Sequence, residues 1–483
     1  MAARAAVIGS GPNGLAAAIS LAQAGLAVEV HEAAAIPGGG VRSGELTLPG
    51  FIHDFGSAVY GLGVASPFFS ELRLDLLGVK WINPAAPLAH PLDDGSAIVL
   101  EQDVAATASN LGRDGAAYRE LFQPLVENWD ELLSDVLRPI LHVPEHPLLL
   151  AKFGLRAFQP AALLVKTAFG GVRARALFGG LASHSLLTLE APLSSAFGLM
   201  LGASAHATGW PVAGGGAQTI TDALVLALTR FGGRMITDSH INSLDELDKP
   251  DVTLCDISPK QFLRIAARQL AGRPFADLLR QYKYGPGAFK MDWALSEPIP
   301  WRAKECLRAG TVHLCGTLEE IAASERAVHD GKAPTKPFVL LVQPSLFDSS
   351  RAPAGRHTAW AYCHVPNGWP HSVERQIEDQ IERFAPGFRE CVLARSSLSP
   401  RDLERSDGNL VGGDVNCGLP NLNQFLFRPT WRQYGTPLKG VYLCSAATPP
   451  GGGVHGMCGY NAAQMALRWM DRERRVNGRR TVN

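Results

Sequence analysis

The residues with the clearest chemical potential form a glycine-rich segment near the start of the chain, GSGPNG at residues 9–14. Its GxGxxG spacing is typical of loops that bind the pyrophosphate of a dinucleotide. Gly9 permits a tight turn, Gly11 lets the backbone approach the phosphates, and Gly14 lets the following helix pack on the preceding strand. Pro12 suits the start of that helix, because the amide it lacks would have no helical partner. An ordinary glycine turn is the alternative for a GxGxxG that stands alone.

The elements around this loop occur in the order that a dinucleotide site requires. Residues 5–8 are apolar and predict a short buried strand, residues 15–24 predict an alanine-rich helix, and Gly25 is its expected C-cap. Residues 26–31 predict a second strand that ends at Glu32. An acid at this position is expected to bind the ribose hydroxyls, the alternative being a solvated charge at a strand end. The order of elements makes dinucleotide binding the favoured interpretation.

A second glycine cluster bears on which dinucleotide is bound. Gly38 and Gly39 follow Glu32 in an E-x5-G-G pattern, and Arg42 comes soon after them. This pattern resembles the extension found in FAD-dependent oxidoreductases of the amine oxidase and phytoene desaturase superfamily. A second backbone nest could approach the diphosphate from its other side while Arg42 supplies a cation. A flexible loop is the alternative, and the resemblance favours FAD over NAD.

The far end of the chain repeats the arrangement of strand, glycine-rich turn and helix. Residues 440–444 predict the strand and residues 461–470 the helix. Several segments closely resemble the phytoene-dehydrogenase-related group of the same superfamily, and together they extend over essentially the whole chain: PGGGVRSGELTLPGFIHDFGSAVY (37–60), GWPVAGGGAQTITDAL (209–224), GPGAFKMDWALSEPIPW (285–301), AGRHTAWAYCHVP (354–366) and PGGGVHGMCGYNAA (450–463).

The resemblance implies an α/β fold, with a Rossmann-like FAD-binding domain of discontinuous segments and an inserted α+β substrate domain. We expect five parts: residues 1–65, the first segment of the FAD-binding domain; 66–205, a helix-rich segment facing substrate or membrane; 206–260, the second FAD-binding segment; 261–405, the substrate domain; and 406–483, the C-terminal FAD-binding segment. Residues 118–137 read as one amphipathic helix, and residues 338–343 and 357–364 are the clearest strands of the substrate domain.

The resemblance also implies flavin contacts beyond the first forty residues. Gly56 and Ser57 match the family's segment that lines the flavin, and Ile241 would lie against the adenine end. In this superfamily the last strand–turn–helix unit returns to the first domain and covers the flavin. Its expected contacts are Ser445, Gly453, Val454 and Met457.

Two residues are candidates for catalysis. Lys290 lies in FKMDW, which resembles the strand of flavin amine oxidases whose lysine contacts flavin N5 through a water. The alternative is a pair with Asp292 at the surface, because alternation places the two residues on one face of a strand. His455 lies in the C-terminal glycine-rich turn, where it is either a proton donor or flavin contact or a loop histidine bonded to backbone.

Composition excludes several classes of protein. The 483 residues include 45 basic and 45 acidic side chains, so the formal net charge is zero, which argues against a general nucleic-acid binder. The eight cysteines include no CxxC pair, which argues against a metal ribbon and against disulfide chemistry, and no metal site is expected. No uncharged apolar run of about 20 residues is present, so we expect a cytoplasmic protein.

Residues 136–172 are apolar with scattered prolines and basic residues. They are interpreted either as the lining of a core or substrate pocket or as a surface that dips into a membrane to collect a lipid-like substrate. A peripheral membrane contact therefore stays an option, as does a homodimer.

The predicted reaction is hydride removal from an apolar or amphipathic substrate to flavin N5, such as carbon–carbon desaturation, with oxygen or a quinone as electron acceptor. A flavin amine oxidase that uses oxygen is the alternative enzyme, for which Trp293, Trp301, Tyr362 and Tyr460 are available as an aromatic cage. A flavin-binding interaction protein without turnover is the alternative from another class. No nucleic-acid partner is expected.

Overall fold

A computed structural model describes residues 3–139 and 142–480 of the chain. Within them, a five-stranded parallel sheet has the order β16-β10-β1-β2-β9. Its strands come from the beginning, the middle and the end of the chain: β1 (Arg4–Ile8), β2 (Ala27–His31), β9 (Arg234–Ile236), β10 (Val252–Cys255) and β16 (Val441–Leu443). The sheet is therefore assembled from discontinuous segments.

Small side chains explain how tightly the helices cover this sheet. Helix α1 (Pro12–Gln23) begins with Pro12 and is buried along nearly its whole length. It packs against α11 (Gln218–Arg230) and α20 (Met457–Arg480). A parallel sheet needs both faces covered, and a helix rich in alanine and glycine can approach its neighbours closely. Gly459 of α20 lies so near α1 that a Cβ there would be 1.7 Å from the Asn13 carbonyl oxygen.

The second sheet has the order β15-β11-β14-β13-β12-β6-β7. Neighbouring strands are antiparallel except for β12 and β6, which are parallel. The strands are β6 (Ala86–Pro91), β7 (Ala97–Leu100), β11 (Gly287–Leu295), β12 (Ala309–Leu314), β13 (Val339–Val342), β14 (His357–Val365) and β15 (Val392–Leu398). One face packs on an apolar core that includes Met291, Trp293 and Leu341 with Ile377 and Ile381 from a covering helix. The fold class predicted from the sequence, a Rossmann-like domain with an inserted α+β unit, is confirmed.

Two short strand pairs and the remaining helices complete the described chain. The pairs are β3 (Ser43–Glu45) with β4 (Ile52–Asp54), and β5 (Trp81–Ile82) with β8 (Val212–Ala213). The other helices are α2 (Gly61–Val64), α3 (Pro67–Leu72), α4 (Val104–Asn110), α5 (Gly115–Glu127), α6 (Trp129–Val136), α7 (Pro147–Ala157), α8 (Ala161–Ala168), α9 (Val172–Ser183), α10 (Ser194–Ala207), α12 (Pro259–Ile265), α13 (Ala267–Leu270), α14 (Pro274–Arg280), α15 (Leu318–His329), α16 (Glu374–Phe384), α17 (Phe388–Cys391), α18 (Pro400–Ser406) and α19 (Leu422–Leu426).

Two expectations about the segment 66–205 need correction. The single helix expected over residues 118–137 is two helices, α5 and α6, separated at Asn128. Pro124 cannot donate a backbone hydrogen bond to the preceding turn, and the Asn128 amide group donates to its carbonyl oxygen at 2.8 Å, which ends the helix. The segment also supplies β6 and β7 to the second sheet, two strands that the sequence reading missed.

The apolar segment 136–172 forms α7 and α8, and its Ile140 and Leu141 lie outside the described residues. Across the described ranges, no single helix has the length and apolar character needed to cross a membrane. Taken together, α7 and α8 are long and apolar enough to cross a membrane, by length and composition alone, but the two helices are bent by 95° to one another.

Candidate active site

A cavity of about 850 Å³ connects the two sheets. At one end it lies beyond the carboxyl ends of the parallel strands, where open α/β sheets bind their ligands. There its walls include Ile8, Glu32 and Asp256. At the other end it is closed by the second sheet, whose Lys290 and Trp360 line it. One continuous space thus runs from a phosphate-binding type of loop to an aromatic-lined chamber.

The first glycine loop forms the turn that its spacing predicts. Gly9 has a φ of +95°, which a side chain would strain. A Cβ at Gly14 would lie 2.2 Å from the Gly9 carbonyl oxygen, so only glycine lets the helix pack this closely on the strand end. A Cβ at Gly11 would lie 2.7 Å from the Asp256 carboxylate, which accepts a hydrogen bond from the Gly14 amide at 2.8 Å. Gly9, Gly11 and Pro12 line the cavity, while Gly14 supports them from behind.

Glu32 lies at the cavity wall and braces the glycine turn. Its carboxylate accepts hydrogen bonds from the Ser10 amide at 2.9 Å, the Ser10 hydroxyl at 2.6 Å and the Ala34 amide at 2.9 Å. The carboxylate is part-buried and lines the cavity, so it is positioned to make the ribose contact that the sequence predicts.

The second glycine cluster faces the first. Gly38 and Gly39 have φ values of +124° and +55°, and a Cβ at Gly39 would lie 3.4 Å from the Gly11 Cα. Gly39 lines the cavity, whereas Gly38 lies behind it and donates from its amide to the Ser10 hydroxyl at 3.1 Å. The Arg42 side chain lines the cavity and donates to the Gly39 carbonyl at 2.7 Å, stacking over Phe55 at 5.1 Å. Two backbone nests therefore meet across the space where a diphosphate would lie.

The residues that the family resemblance assigned to the flavin divide into two groups. Those that line the cavity are Gly56, Ser57, Ile241, Gly453 and Val454. Ser445 and Met457 do not belong to the lining. Instead, the Ser445 hydroxyl donates to the Ile257 carbonyl at 2.9 Å, and Met457 begins helix α20.

His455 also lies outside the cavity lining, although the two residues before it, Gly453 and Val454, line the cavity. Its Nδ1 accepts a hydrogen bond from the Met457 amide at 3.0 Å, and its carbonyl accepts one from the Ser66 hydroxyl at 2.6 Å. Burial lowers the pKa of the imidazole to about 4, so the ring is neutral at physiological pH. In this position His455 orders the start of α20, as the alternative interpretation from the sequence expected.

Lys290 lines the opposite end of the cavity, and its environment differs from both simple interpretations. Its ammonium donates to the Asp292 carboxylate, so the predicted pair forms, but the side chains are only 3% and 0% exposed and the pair is not at the surface. The second oxygen of Asp292 lies 3.6 Å from Nδ1 of His53, and neither atom has a hydrogen-bond partner among the described residues. Burial raises the pKa of Asp292 to about 6, an effect that Lys290 opposes.

His53 stays neutral beside this pair, because burial, Lys290 and Arg351 lower its pKa to about 3. The neighbouring Asp54 forms a fully buried ion pair with Arg351 at 2.7 Å. Asp54 also accepts from the Ser43 hydroxyl and the Ala217 amide, at 2.7 and 2.8 Å. This second pair ties the first sheet's loops to the second sheet and was not foreseen from the sequence.

An apolar and aromatic surface forms the rest of this end of the cavity. The face of the second sheet that borders the cavity contributes Ala288, Thr311, Leu340, Trp360 and Tyr362, and α10 contributes Leu201. The rings of Trp360 and Tyr362 lie 5.4 Å apart, edge to face. Of the four residues suggested for an aromatic cage, only Tyr362 lines the cavity. Trp293 and Trp301 lie in the core on the other side of the sheet, and Tyr460 packs on Phe68.

The cysteines have no place in the chemistry of this site. Each of the eight lies within the described residues, and each is buried and free of disulfides. Cys417 lines the cavity, but burial raises the pKa of its thiol well above the usual value, so it is not a nucleophile. No cluster of three metal-ligating side chains occurs in the part of the chain that the structure describes.

Asp256 is the main residue of the dinucleotide end that the sequence reading left without a role. It follows strand β10 and lies 4% exposed against the glycine turn. Burial raises its pKa to about 7, an effect that the Gly14 amide opposes. Its position, after a buried strand that runs parallel to β1, was the available signal, because parallel strands end at the same edge of a sheet.

The residues around the cavity fit FAD. The paired glycine nests suit a diphosphate, and the cavity continues from them to the second sheet, whose residues would hold the ring system at the other end of the cofactor. Oδ1 of Asn13 and Nδ2 of Asn416 belong to lining residues and have no hydrogen-bond partner among the described residues, as expected for groups that a ligand satisfies. Fold and site therefore define an FAD-dependent oxidoreductase.

Comparisons with known proteins agree with this class. Residues 7–72 match the family model of the NAD(P)-binding Rossmann-like domain. The chain is 26% identical to pyridine nucleotide-disulfide oxidoreductase domain-containing protein 2 of Rattus norvegicus, over 96% of this chain and 93% of that protein. It is 25% identical to the lycopene-forming phytoene desaturase of a Paracoccus species, over 94% of each. A solved variant of putrescine oxidase superposes with a TM-score of 0.62 over 97% of this chain and 99% of that one, at 16% identity.

These findings identify the chain as a phytoene desaturase-like, FAD-dependent oxidoreductase, and the likeness to putrescine oxidase shows the shared fold. The family and the cofactor expected from the sequence are thereby confirmed. The assignments of individual residues to the cofactor and to catalysis rest on the geometry described above.

Proposed function

We propose that the protein removes a hydride from an apolar or amphipathic substrate and introduces a carbon–carbon double bond. The observation that carries this proposal is the chamber at the end of the cavity, which Leu201, Leu340, Trp210 and Trp360 line. Such a wall favours hydrocarbon over water and charged groups. The similarity to a phytoene desaturase over 94% of both chains supports the same substrate class.

When bound, FAD would supply the hydride acceptor and store the two electrons. The protein's own contribution is to place the substrate and exclude water. The apolar chamber walls hold a chain-like substrate by contact, while Trp360 and Tyr362 present flat ring surfaces. Lys290 supplies a fixed positive charge at the same wall, where it stabilises negative charge that develops on the reacting partners.

An amine oxidase reaction is the second candidate, and the position of Lys290 in the cavity wall favours it, as does the fold of putrescine oxidase. Two features of the chamber oppose it. The ammonium of Lys290 would repel a cationic amine, and Asp292, which could attract one, is already paired with Lys290. We therefore place desaturation first.

A turnover experiment with two probes tests the choice between these reactions. The FAD-loaded protein is incubated with phytoene in phospholipid vesicles or with putrescine, each in the presence of oxygen or of a soluble quinone. We expect a more conjugated polyene from phytoene and no aldehyde from putrescine. Aldehyde formation without polyene conversion would establish the amine oxidase. Flavin that is reduced by dithionite but by neither probe would favour a flavin-binding protein with another role.

We further propose a peripheral membrane contact through α7 and α8, which suits a substrate of this kind. Leu148 and Leu155 are 79% and 75% exposed, and Phe158 and Leu163 are exposed near them. Lys152 and Lys166 lie exposed on the same two helices. Apolar side chains with flanking lysines are typical of surfaces that bind anionic lipid headgroups.

A further inference from the structure

A cluster of buried histidines begins at the chamber wall and leads away from it. His184 lines the cavity and is partly exposed to it. Its Nε2 lies 3.0 Å from Nε2 of His313, which is fully buried in strand β12. His90, on the neighbouring strand β6, lies beyond His313 and is also fully buried. His90 and His313 are 94 and 129 positions from His184 along the chain, so the three rings meet only through the fold.

The helix opposite these strands makes room for the rings. Gly180 of α9 faces both imidazoles, and a Cβ there would lie 2.7 Å from Nδ1 of His313 and 3.4 Å from Nδ1 of His90. Those two nitrogens therefore face the same small space, and neither has a hydrogen-bond partner among the described residues. The glycine is what allows the histidines to approach one another here.

The hydrogen bonds set the direction of the protons along the cluster. Nε2 of His90 lies 2.6 Å from the Gly316 carbonyl oxygen, which can only accept, so Nε2 carries the proton and Nδ1 is an acceptor. The lone pair on Nδ1 of His90 favours a proton on the facing Nδ1 of His313, although the two nitrogens are not hydrogen-bonded to one another, and Nε2 of His313 then accepts from Nε2 of His184. This leaves Nδ1 of His184 as an unprotonated nitrogen that makes no hydrogen bond to any described residue.

The neutral state that this arrangement needs agrees with the surroundings. Burial lowers the pKa of His184 to about 3, with a further contribution from His364. Burial likewise lowers the pKa of His90 to about 4 and that of His313 still further. The ionisable groups nearest to the cluster are His364, which pairs with Glu325 at 3.0 Å, and Glu320 beyond His90.

Desaturation requires a group that accepts a proton. When a carbon–carbon single bond becomes a double bond, one hydrogen leaves as a hydride with its electron pair, which the flavin accepts in the proposed function. The other leaves as a proton, and its bonding electrons form the new double bond. In the chamber, the Lys290 ammonium is a donor, and the carboxylate of Asp292 is paired with it. Tyr362 keeps its proton, because burial raises its pKa well above the usual value.

From this geometry we infer that His184 is the catalytic base: its Nδ1 accepts the substrate proton, while its Nε2–H stays hydrogen-bonded to His313, which holds the tautomer. The inference rests on the proposed function for the identity of the proton donor. His184 touches the chamber and is a catalytic residue in this scheme, whereas His313 and His90 act through it as positioning residues. Release of that proton from Nδ1 to water, through the cavity that His184 lines, returns His184 to the neutral state needed for the next turnover.

The first test measures the tautomer and needs no substrate. Nitrogen-15 spectra of histidine-labelled protein are recorded from pH 5 to 8 for the wild type, for His184→Gln, which assigns the signals, and for His313→Gln. We expect a neutral His184 with its proton on Nε2 throughout, and a mixture of tautomers once His313 is replaced. The exposed His371, replaced by Gln, is the matched control and should leave the His184 signals unchanged. A His184 that is protonated, or that carries its proton on Nδ1, would overturn the inference.

The second test measures the reaction. Anaerobic flavin reduction by phytoene in vesicles should slow by about 10²–10⁴-fold in His184→Gln, as for loss of a general base. Reduction by dithionite and FAD content should stay at the wild-type level. Reduction of His184→Gln at the wild-type rate would overturn the assignment. If phytoene does not reduce the wild type, the proposed function fails and the inference fails with it, whereas a wild type that phytoene reduces at the same rate as His184→Gln overturns the inference alone. If His313→Gln does not fold, Gly180→Ala displaces the His313 ring and takes its place.

Discussion

Replacing Lys290 with Met tests the buried ion pair at the chamber wall. The substitution keeps the length of the side chain but leaves the Asp292 carboxylate without its partner, at 0% exposure. Removing one partner of a buried pair typically destabilises a protein by about 3–5 kcal/mol, because the other charge stays buried and unpaired. We expect a loss in that range at pH 8. Lys260→Met is the matched control, since its pair with Glu404 is more exposed and should contribute less than about 1 kcal/mol.

The pH dependence of this loss follows from the carboxyl group. Burial already raises the pKa of Asp292 to about 6 while Lys290 opposes the rise, so the pKa in Lys290→Met must be higher still. A carboxyl with a raised folded-state pKa stabilises the fold at low pH and loses that contribution as pH rises. The deficit of Lys290→Met should therefore be largest at pH 8 and shrink toward pH 5, by up to about 1.4 kcal/mol per pH unit.

Urea unfolding at pH 5 and pH 8 measures the effect, with the double variant Lys290→Met, Asp292→Asn as the decisive comparison. Removing both charges should recover part of the loss and abolish its pH dependence, because no unpaired charge is left. A Lys290→Met protein with a deficit below about 1 kcal/mol, equal at both pH values, would refute the account of this pair. The same variant also tests the role of the charge in catalysis: we expect flavin reduction by phytoene to slow while FAD content is retained.

Three further substitutions test other parts of the structure. Gly14→Ala places a Cβ 2.2 Å from the Gly9 carbonyl oxygen and should abolish FAD retention in a flavin absorbance assay. Gly25→Ala, with open space around the added Cβ, should retain FAD. Equal FAD retention in the two variants would contradict the close packing of α1 on the glycine turn. The folded-state pKa of Asp256 is raised to about 7, so the wild type should lose about 2–3 kcal/mol of unfolding free energy between pH 5 and pH 8. Asp256→Asn should remove that loss, and a wild-type stability that does not change over this interval would contradict the prediction. Leu155→Glu should reduce flotation with anionic vesicles, while Leu278→Glu on α14, also exposed, should not; loss in neither variant would dispose of the membrane contact.

The parts of the fold that sequence patterns predicted well are local. The glycine loop at residues 9–14, its helix and the two flanking strands depend on neighbouring residues, so spacing and side-chain size suffice to place them. The same holds for the strands at 338–343 and 357–364, which the structure places at Val339–Val342 and His357–Val365. Strand β6 was missed because it contains two prolines, Pro87 and Pro91, which argue against a strand within a sheet; they are its second and last residues, near the ends where proline is tolerated.

The parts that could not be predicted depend on contacts between distant residues. Asp54 and Arg351 are 297 positions apart, and Asp256 meets Gly14 across 242. A single sequence contains no signal for the Asp54–Arg351 pair, and for Asp256 it offers only the position directly after a predicted strand. The Lys290–Asp292 pair was foreseen because alternation in a strand is local, but its burial depends on how the second sheet closes the cavity. The histidine cluster belongs to the same class, since three separate segments contribute to it.

The most direct test of the central claim is a single-turnover titration without oxygen. FAD-loaded protein is mixed with phytoene in vesicles, and the visible absorbance of the flavin is followed together with the ultraviolet absorbance of the polyene. The account predicts that the flavin bleaches as conjugation lengthens, with one new double bond formed for each flavin reduced. A flavin that phytoene leaves oxidised, but that putrescine bleaches, would contradict it.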